Sequence, residues 1–205
     1  MFFPSGTHKD HGLAFNPLKA IVSPRPIGWI SSIGANGIHN LAPYSFFNAV
    51  SETPPMVAFS GSPGTQGDKD TVKNIEETGD FVVNIVSSSL MNAMNITSAS
   101  LPRDISEFDQ AQLTPKPSRL VSSPHVAESP CYLECQLWKI IDLPQASDES
   151  KSRLVIGEVV GIGIDDAIIT PEGKIDVAKY QPAARLGYKD YAIINKVFEL
   201  DRPDT

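Results

Sequence analysis

Five apolar, β-branched stretches, Ala20 to Ile33, Met56 to Ser60, Asp80 to Val86, Cys131 to Leu143 and Arg153 to Ile164, recur along the chain. They do not alternate with helical segments of about 12 residues, which a parallel sheet built from βαβ units requires. The strands must therefore return on one another, and the turns agree. Ala35-Asn36-Gly37 follows the first stretch, and Asn-Gly supplies the positive φ angles of a tight hairpin. The polar stretch Pro144 to Ser152 separates two long strand-like runs, which pair naturally as a hairpin. A mainly β architecture follows, an antiparallel barrel with a few inserted helices.

The longest expected helix starts after a flexible loop, Gly61 to Gly67. Asp70 or Thr71 is expected as its N-cap, Val72 and Ile75 supply an apolar stripe, and Gly79 stands where a C-terminal cap belongs. Its expected span is Thr71 to Thr78, and a second helix is expected from Leu90 to Ala99. Pro43 lies in the return strand of the first hairpin. It cannot donate to a ladder, which predicts an edge or bend there.

At 205 residues with 41% hydrophobic and 20% charged positions, the chain suits one folded domain with a sizeable core. A formal charge of −7 argues against a nucleic-acid partner, since phosphate binding depends on Lys and Arg displacing counterions. The apolar runs, such as Phe81 to Val86, are too short to span a bilayer. The start of the chain lacks a basic, then continuously apolar leader, so a cytoplasmic location is expected. Cys131 and Cys135 are the two cysteines, too few for a disulfide framework or a four-thiolate zinc site, and are read as reduced thiols in or near a strand.

Three segments offer chemistry. The Gly-rich loop running into Lys69-Asp70-Thr71 would present free amides and a positive dipole end to an anion. It is not a triphosphate-binding P-loop, which needs Lys directly after Gly. Nor does Gly161-Ile162-Gly163-Ile164-Asp165-Asp166 make a dinucleotide fingerprint, because Asp stands where the third glycine belongs. Asn40-Leu41-Ala42-Pro43-Tyr44-Ser45-Phe46-Phe47-Asn48 mixes amide and hydroxyl groups with aromatic ones, a combination suited to a flat heteroaromatic ring, although a strand with one buried face reads the same way. In Pro24-Arg25-Pro26-Ile27-Gly28-Trp29-Ile30-Ser31-Ser32, two prolines hold Arg25 extended, where it can meet a phosphate or carboxylate or simply sit at the surface. The histidines His8, His11, His39 and His125 are scattered. No nucleophile elbow and no spaced metal-ligand cluster occurs. His8-Lys9-Asp10-His11 is read as part of an N-terminal arm.

Taken in order, Pro24-Arg25-Pro26 with Trp29 to Ser32, the Asn-Gly turn, Asn40 to Asn48, Pro54-Pro55, Lys69-Asp70-Thr71 with Asn74, and Gly79 to Asn84 closely resemble the flavin-reductase-like family. The resemblance is continuous from about residue 20 to 90. It thins toward 195, where Arg185-Leu186-Gly187 and Tyr191 are similar to the family's C-terminal motif.

The resemblance implies a split β-barrel of antiparallel Greek-key type over 20–195, with an arm at 1–19 and a tail at 196–205. It further implies a homodimer with FMN, rather than FAD, at the subunit interface and NAD(P)H as reductant. By the same resemblance, Ser31, Ser32 and the Asn40 to Asn48 segment line the flavin, with Arg25 and Trp29 at the strand's entry. Lys69, Asp70 and Thr71 take the phosphate side, and Arg185 and Tyr191 close the site. Hydride transfer between stacked rings needs no protein acid or nucleophile, so no catalytic side chain is expected. The function implied is a flavin reductase, with a monooxygenase or electron-transfer protein as a possible partner. A noncatalytic FMN electron carrier, a pyridoxamine-phosphate-oxidase-type split barrel and a flavin-free binding barrel are the alternatives.

Overall fold

The computed structural model describes residues 1–61, 69–144 and 152–203. Its strands are β1 (Arg25–Pro26), β2 (Gly28–Ile33), β3 (His39–Tyr44), β4 (Phe46–Glu52), β5 (Pro55–Gly61), β6 (Asp80–Ile85), β7 (Pro115–Lys116), β8 (His125–Val126), β9 (Cys131–Asp142), β10 (Arg153–Ile164), β11 (Ala183–Arg185) and β12 (Tyr191–Ile193). The α-helices are α1 (Leu18–Ile21), α2 (Asp70–Thr78), α3 (Met91–Ile96), α4 (Glu107–Gln110) and α5 (Val177–Tyr180). No helix among the described residues is long and apolar enough to cross a membrane.

Seven strands form one antiparallel sheet in the order β3-β2-β6-β9-β10-β5-β4. The two edge strands, β3 and β4, are consecutive in the chain and Ser45 alone separates them. One residue spans only about 3.5 Å, so the sheet must curl until its edges meet. Two glycines mark the closure. A Cβ on Gly61 would stand 2.8 Å from the Tyr44 ring, and one on Gly28 would stand 2.7 Å from the Phe47 ring. Aromatic side chains from one edge thus lie directly on the backbone of strands near the other. The result is the curled half-barrel of a split-barrel fold.

The barrel interior is filled by Ile30, Tyr44, Val57, Phe59, Phe81, Val83, Cys135 and Val155, with Val72 and Ile75 entering from α2. Trp29, adjacent to Ile30, points the opposite way, into a second core with Leu41, Val86, Leu90, Met94, Phe108 and Val126. This is the period of two along a strand. Both faces of β2 are covered, so Gly28 to Ser32 are all buried and the strand shows no alternation of buried and exposed positions. Removing Val72 and Ile75 from water favours docking of α2 by about 2 kcal/mol each.

Several local expectations need correction. The strand expected from Ala20 starts later: Ala20 and Ile21 fall in α1, and the extended chain runs as β1 from Arg25 and β2 from Gly28. The segment Asn40 to Asn48 is not one strand: it is the junction where the chain passes from one sheet edge to the other. The N-cap of α2 is Lys69, with no side-chain cap, because an ammonium has no acceptor to offer; Thr71 is the second residue of the helix, and its hydroxyl donates to Asn40. Gly79 caps the helix at φ 81° as expected. The helix expected at Leu90 to Ala99 is a 3-10 turn, Ser88–Leu90, followed by the shorter α3. The paired long strands are β9 and β10. Of the loop expected over Gly61 to Gly67, all but Gly61 lies outside the described residues, as does most of Pro144 to Ser152.

Candidate functional site

Around the β3–β4 junction, buried polar groups stand behind an exposed aromatic and cationic surface. The buried layer starts on β2. Ser31 Oγ donates to the Pro124 carbonyl at 2.5 Å and accepts from Asn84 Nδ2 at 3.0 Å. Asn84 Nδ2 also reaches the Trp29 carbonyl at 3.0 Å, and its Oδ1 accepts from the Val126 amide at 2.8 Å. Ser32 Oγ accepts from Asn74 Nδ2 at 3.2 Å, which ties β2 to α2. The Trp29 indole donates to Thr97 Oγ1 at 2.8 Å. Each of these side chains is buried and satisfied within the protein, as buried polar groups must be.

Asn40 is the centre of a second chain of bonds. Its Oδ1 accepts from Thr71 Oγ1 at 2.6 Å and its Nδ2 donates to Glu107 Oε2 at 3.0 Å, which also accepts from the Leu41 amide at 3.0 Å. Burial pushes the Glu107 carboxyl above its ordinary value, against the pull of those two donors. Arg103 extends the chain outward, donating to Asn74 Oδ1 at 3.1 Å, pairing with Glu77 at 2.9 Å and lying 3.8 Å from Asp70. Asn40, Asp70, Asn74 and Glu107 line a polar cleft of about 10 Å³, which has room for a water molecule and no more.

The outer layer differs in kind. The Lys69 ammonium lies over the Tyr44 ring, 5.1 Å from its centre. Tyr44 itself is buried, and burial raises its pKa against the opposing pull of the Thr71 hydroxyl. Ala42, Pro43, Ser45 and Phe47 are half-buried, whereas Phe46 and Asn48 are exposed. Lys19 and Arg25 each place their charge 5.8 Å from the centre of the Phe46 ring.

Arg25 is buried and donates to the carbonyls of Lys19, Val22 and Leu186, the last at 2.7 Å, while its Nε has no partner among the described residues. It is the register partner of Arg185 across β1 and β11. Burial, then the Arg185 charge, lowers its pKa. Arg185 lies 4.4 Å from the centre of the Tyr191 ring and donates to the Tyr191 hydroxyl and the Tyr188 carbonyl. Neither arginine has a carboxylate partner among the described residues. The two prolines flanking Arg25 fix the extended strand that makes this register possible.

The sequence-predicted residues thus divide. Lys69, Asp70, Ala42, Pro43, Tyr44, Ser45, Phe46, Phe47 and Asn48 gather at the junction and the head of α2, and Arg25, Arg185 and Tyr191 stand at its side. Trp29, Ser31, Ser32, Asn40 and Thr71 lie behind it, within the protein. Sequence reasoning missed Glu107 and Arg103, which sit in the stretch of mixed composition before Ser123, where nothing marks them out. Asn84 carried a signal of its own: an amide inside Phe81-Val82-Val83-Asn84-Ile85 must be paired once the strand is buried.

The comparisons agree with this geometry. Residues 22–178 match the model of the flavin reductase like domain. An uncharacterised protein of Aquifex aeolicus is 39% identical over 183 residues, spanning 89% of this chain and 90% of its own. Among solved structures, nitrilotriacetate monooxygenase component B from Bacillus cereus superposes with a TM-score of 0.87 at 35% identity, covering 98% of both chains. The 2-nitrobenzoate 2-nitroreductase of Pseudomonas fluorescens gives 0.79 at 31% identity over 91% of this chain and 88% of its own. The flavoredoxin of Desulfovibrio vulgaris (Miyazaki F), at 19% identity and a TM-score of 0.76 over 98% and 97% of the two chains, shares the fold. By sequence and by structure, the chain belongs to the flavin-reductase-like family of flavin-binding oxidoreductases.

Proposed function

We propose that the protein is an NAD(P)H-dependent FMN reductase, working as a homodimer that hands reduced flavin or its electrons to a partner protein. The observation that carries this reading is the gathering of Lys19, Arg25, Lys69 and Arg185 about the Tyr44–Phe46 junction in a chain of net charge −7. A cationic cluster without matching carboxylates among the described residues favours an anionic ligand. The Arg25 Nε, unpaired among the described residues, leaves polar valence beside it.

FMN fits these residues. Lys69 and the first turn of α2 would take the phosphate, Tyr44 to Asn48 would face the ring, and Arg185 with Tyr191 would flank it. Bound FMN would supply a hydride acceptor, and NAD(P)H the hydride. The protein's part is to hold both rings in a sheltered cleft. Trp29, Ser31, Ser32, Asn40 and Thr71 then act as the rigid support behind the contact surface. The junction is open on the single chain: Phe46 and Val50 on edge strand β4 are 44% and 55% exposed. A second copy covering that edge would both protect it and exclude water from the flavin. The name of the Bacillus cereus neighbour, a monooxygenase component, supports a monooxygenase as the acceptor of reduced flavin.

The test is a calorimetric comparison of FMN with riboflavin. FMN is expected to bind at least about 10-fold more tightly, and Lys69→Ala to weaken FMN by about 2 kcal/mol through a lost charge-assisted contact. Equal affinity for the two flavins would remove the phosphate assignment. A monomer by light scattering at micromolar concentration would remove the dimer.

A further inference from the structure

A second cavity, of about 590 Å³, lies away from the junction, between the Cys131 end of β9, the Gly161 to Ile164 end of β10 and the segment that carries β7 and β8. On β10 it sits beyond the stretch, Arg153 to Glu158, that pairs with β5. Its volume is that of a small-molecule site.

The cavity wall is held in place by buried acids. Glu134 accepts from the amides of Arg119 and Leu120 at 2.9 and 2.7 Å. Asp80 accepts from the amides of Ser122 and Ser123 at 2.8 and 3.0 Å and from Ser123 Oγ at 2.6 Å. Further along, His125 stacks on Tyr132 with ring centres 3.9 Å apart and planes 10° from parallel. Glycine makes room for that pair, since a Cβ on Gly163 would stand 2.1 Å from the Tyr132 ring.

Three features of the lining are unused by the fold. Lys116 and Arg119 have no ion pair among the described residues, while the acids nearby are occupied, Glu134 as above and Asp165 with the Ala167 amide at 2.9 Å. The His125 Nδ1, in a residue 5% exposed, is buried and has no hydrogen-bond partner among the described residues. Burial, together with Lys116, lowers the His125 pKa, against the opposing charge of Glu134. Leu120 and Ile162 are 59% and 65% exposed, apolar surface that a ligand would cover.

We propose that this cavity is a second ligand site, independent of the flavin, that takes a small aromatic carboxylate. The ring lies among Leu120, Ile162 and the edge of the His125–Tyr132 pair, and the carboxylate meets Arg119 and Lys116. Apolar surface beside unpaired cations selects a ligand that is flat and greasy at one end and anionic at the other.

Isothermal titration of the full chain with 2-naphthoate tests this. Expected is saturable, submillimolar binding of one equivalent per chain. It should weaken by at least about 10-fold in Lys116→Ala/Arg119→Ala and in Ile162→Asp, and be weaker for cyclohexanecarboxylate and for 2-naphthol. Unchanged melting temperatures would show that the variants fold, and added FMN should leave the affinity unchanged. Absence of saturation at millimolar concentration, equal binding by the folded variants, or displacement by FMN would overturn the assignment.

Discussion

Thr71 Oγ1 donates to Asn40 Oδ1 at 2.6 Å, a buried hydrogen bond across 31 residues of sequence that fastens the first turn of α2 to edge strand β3. Thr71 is the second residue of the helix, whose N-cap is Lys69.

Thr71→Val is therefore expected to cost about 1–3 kcal/mol of stability, because it leaves the buried Asn40 Oδ1 unpaired. Thr71→Ser should cost less than half as much. Urea denaturation of the three proteins measures both, and equal stability of the valine variant would mean that the bond contributes nothing.

Glu107 gives a pH dependence with a definite sign. Its carboxyl is raised by burial in the folded protein, so as pH rises the unfolded chain loses this proton first. The group's contribution is most favourable below the ordinary carboxylate pKa and declines as pH rises to the higher folded value. Glu107→Gln keeps an acceptor for Leu41 and removes the titration. The variant should lose less stability than the parent between pH 4 and pH 7, as read by thermal melting at each pH, and identical profiles would contradict this.

Gly157 on β10 lies beneath Phe81, and a Cβ there would stand 2.5 Å from the ring and 3.1 Å from the Gln136 carbonyl. Gly157→Ala should destabilise by about 1–3 kcal/mol through overpacking. The double variant with Phe81→Leu should recover part of that loss in the same denaturation assay, whereas strict additivity would rule out the clash.

Cys135 is fully buried and its thiol is pushed far up by burial, while Cys131 is half-buried and raised by burial and the Asp165 charge. A thiol reagent at pH 8 should label Cys131 slowly and Cys135 only on unfolding. Mass spectrometry of the labelled peptides distinguishes them, and early labelling of Cys135 would show that the barrel opens locally.

Much of this architecture was legible because it rests on local chemistry. The Asn36-Gly37 turn, the apolar period of α2, the Gly79 cap and the long β9–β10 pair each carry their own signal. The junction at Ser45 does not: nothing in Tyr44-Ser45-Phe46 announces that one residue crosses from one sheet edge to the other, since that depends on how strands distant in sequence pair. Glu107 and the Asn40–Thr71 bond were hidden for the same reason. The apolar residues placed the backbone, but which polar side chains meet inside it is settled only by the three-dimensional register.

The most direct measurement of the central claim is the visible spectrum of the protein reconstituted with FMN, followed through anaerobic addition of NADH and then NADPH. The expected result is a bound flavin band that bleaches with one of the two donors at catalytic speed. A bound flavin that neither donor bleaches would contradict the reductase reading in favour of an electron carrier, and a protein that binds no FMN would contradict both.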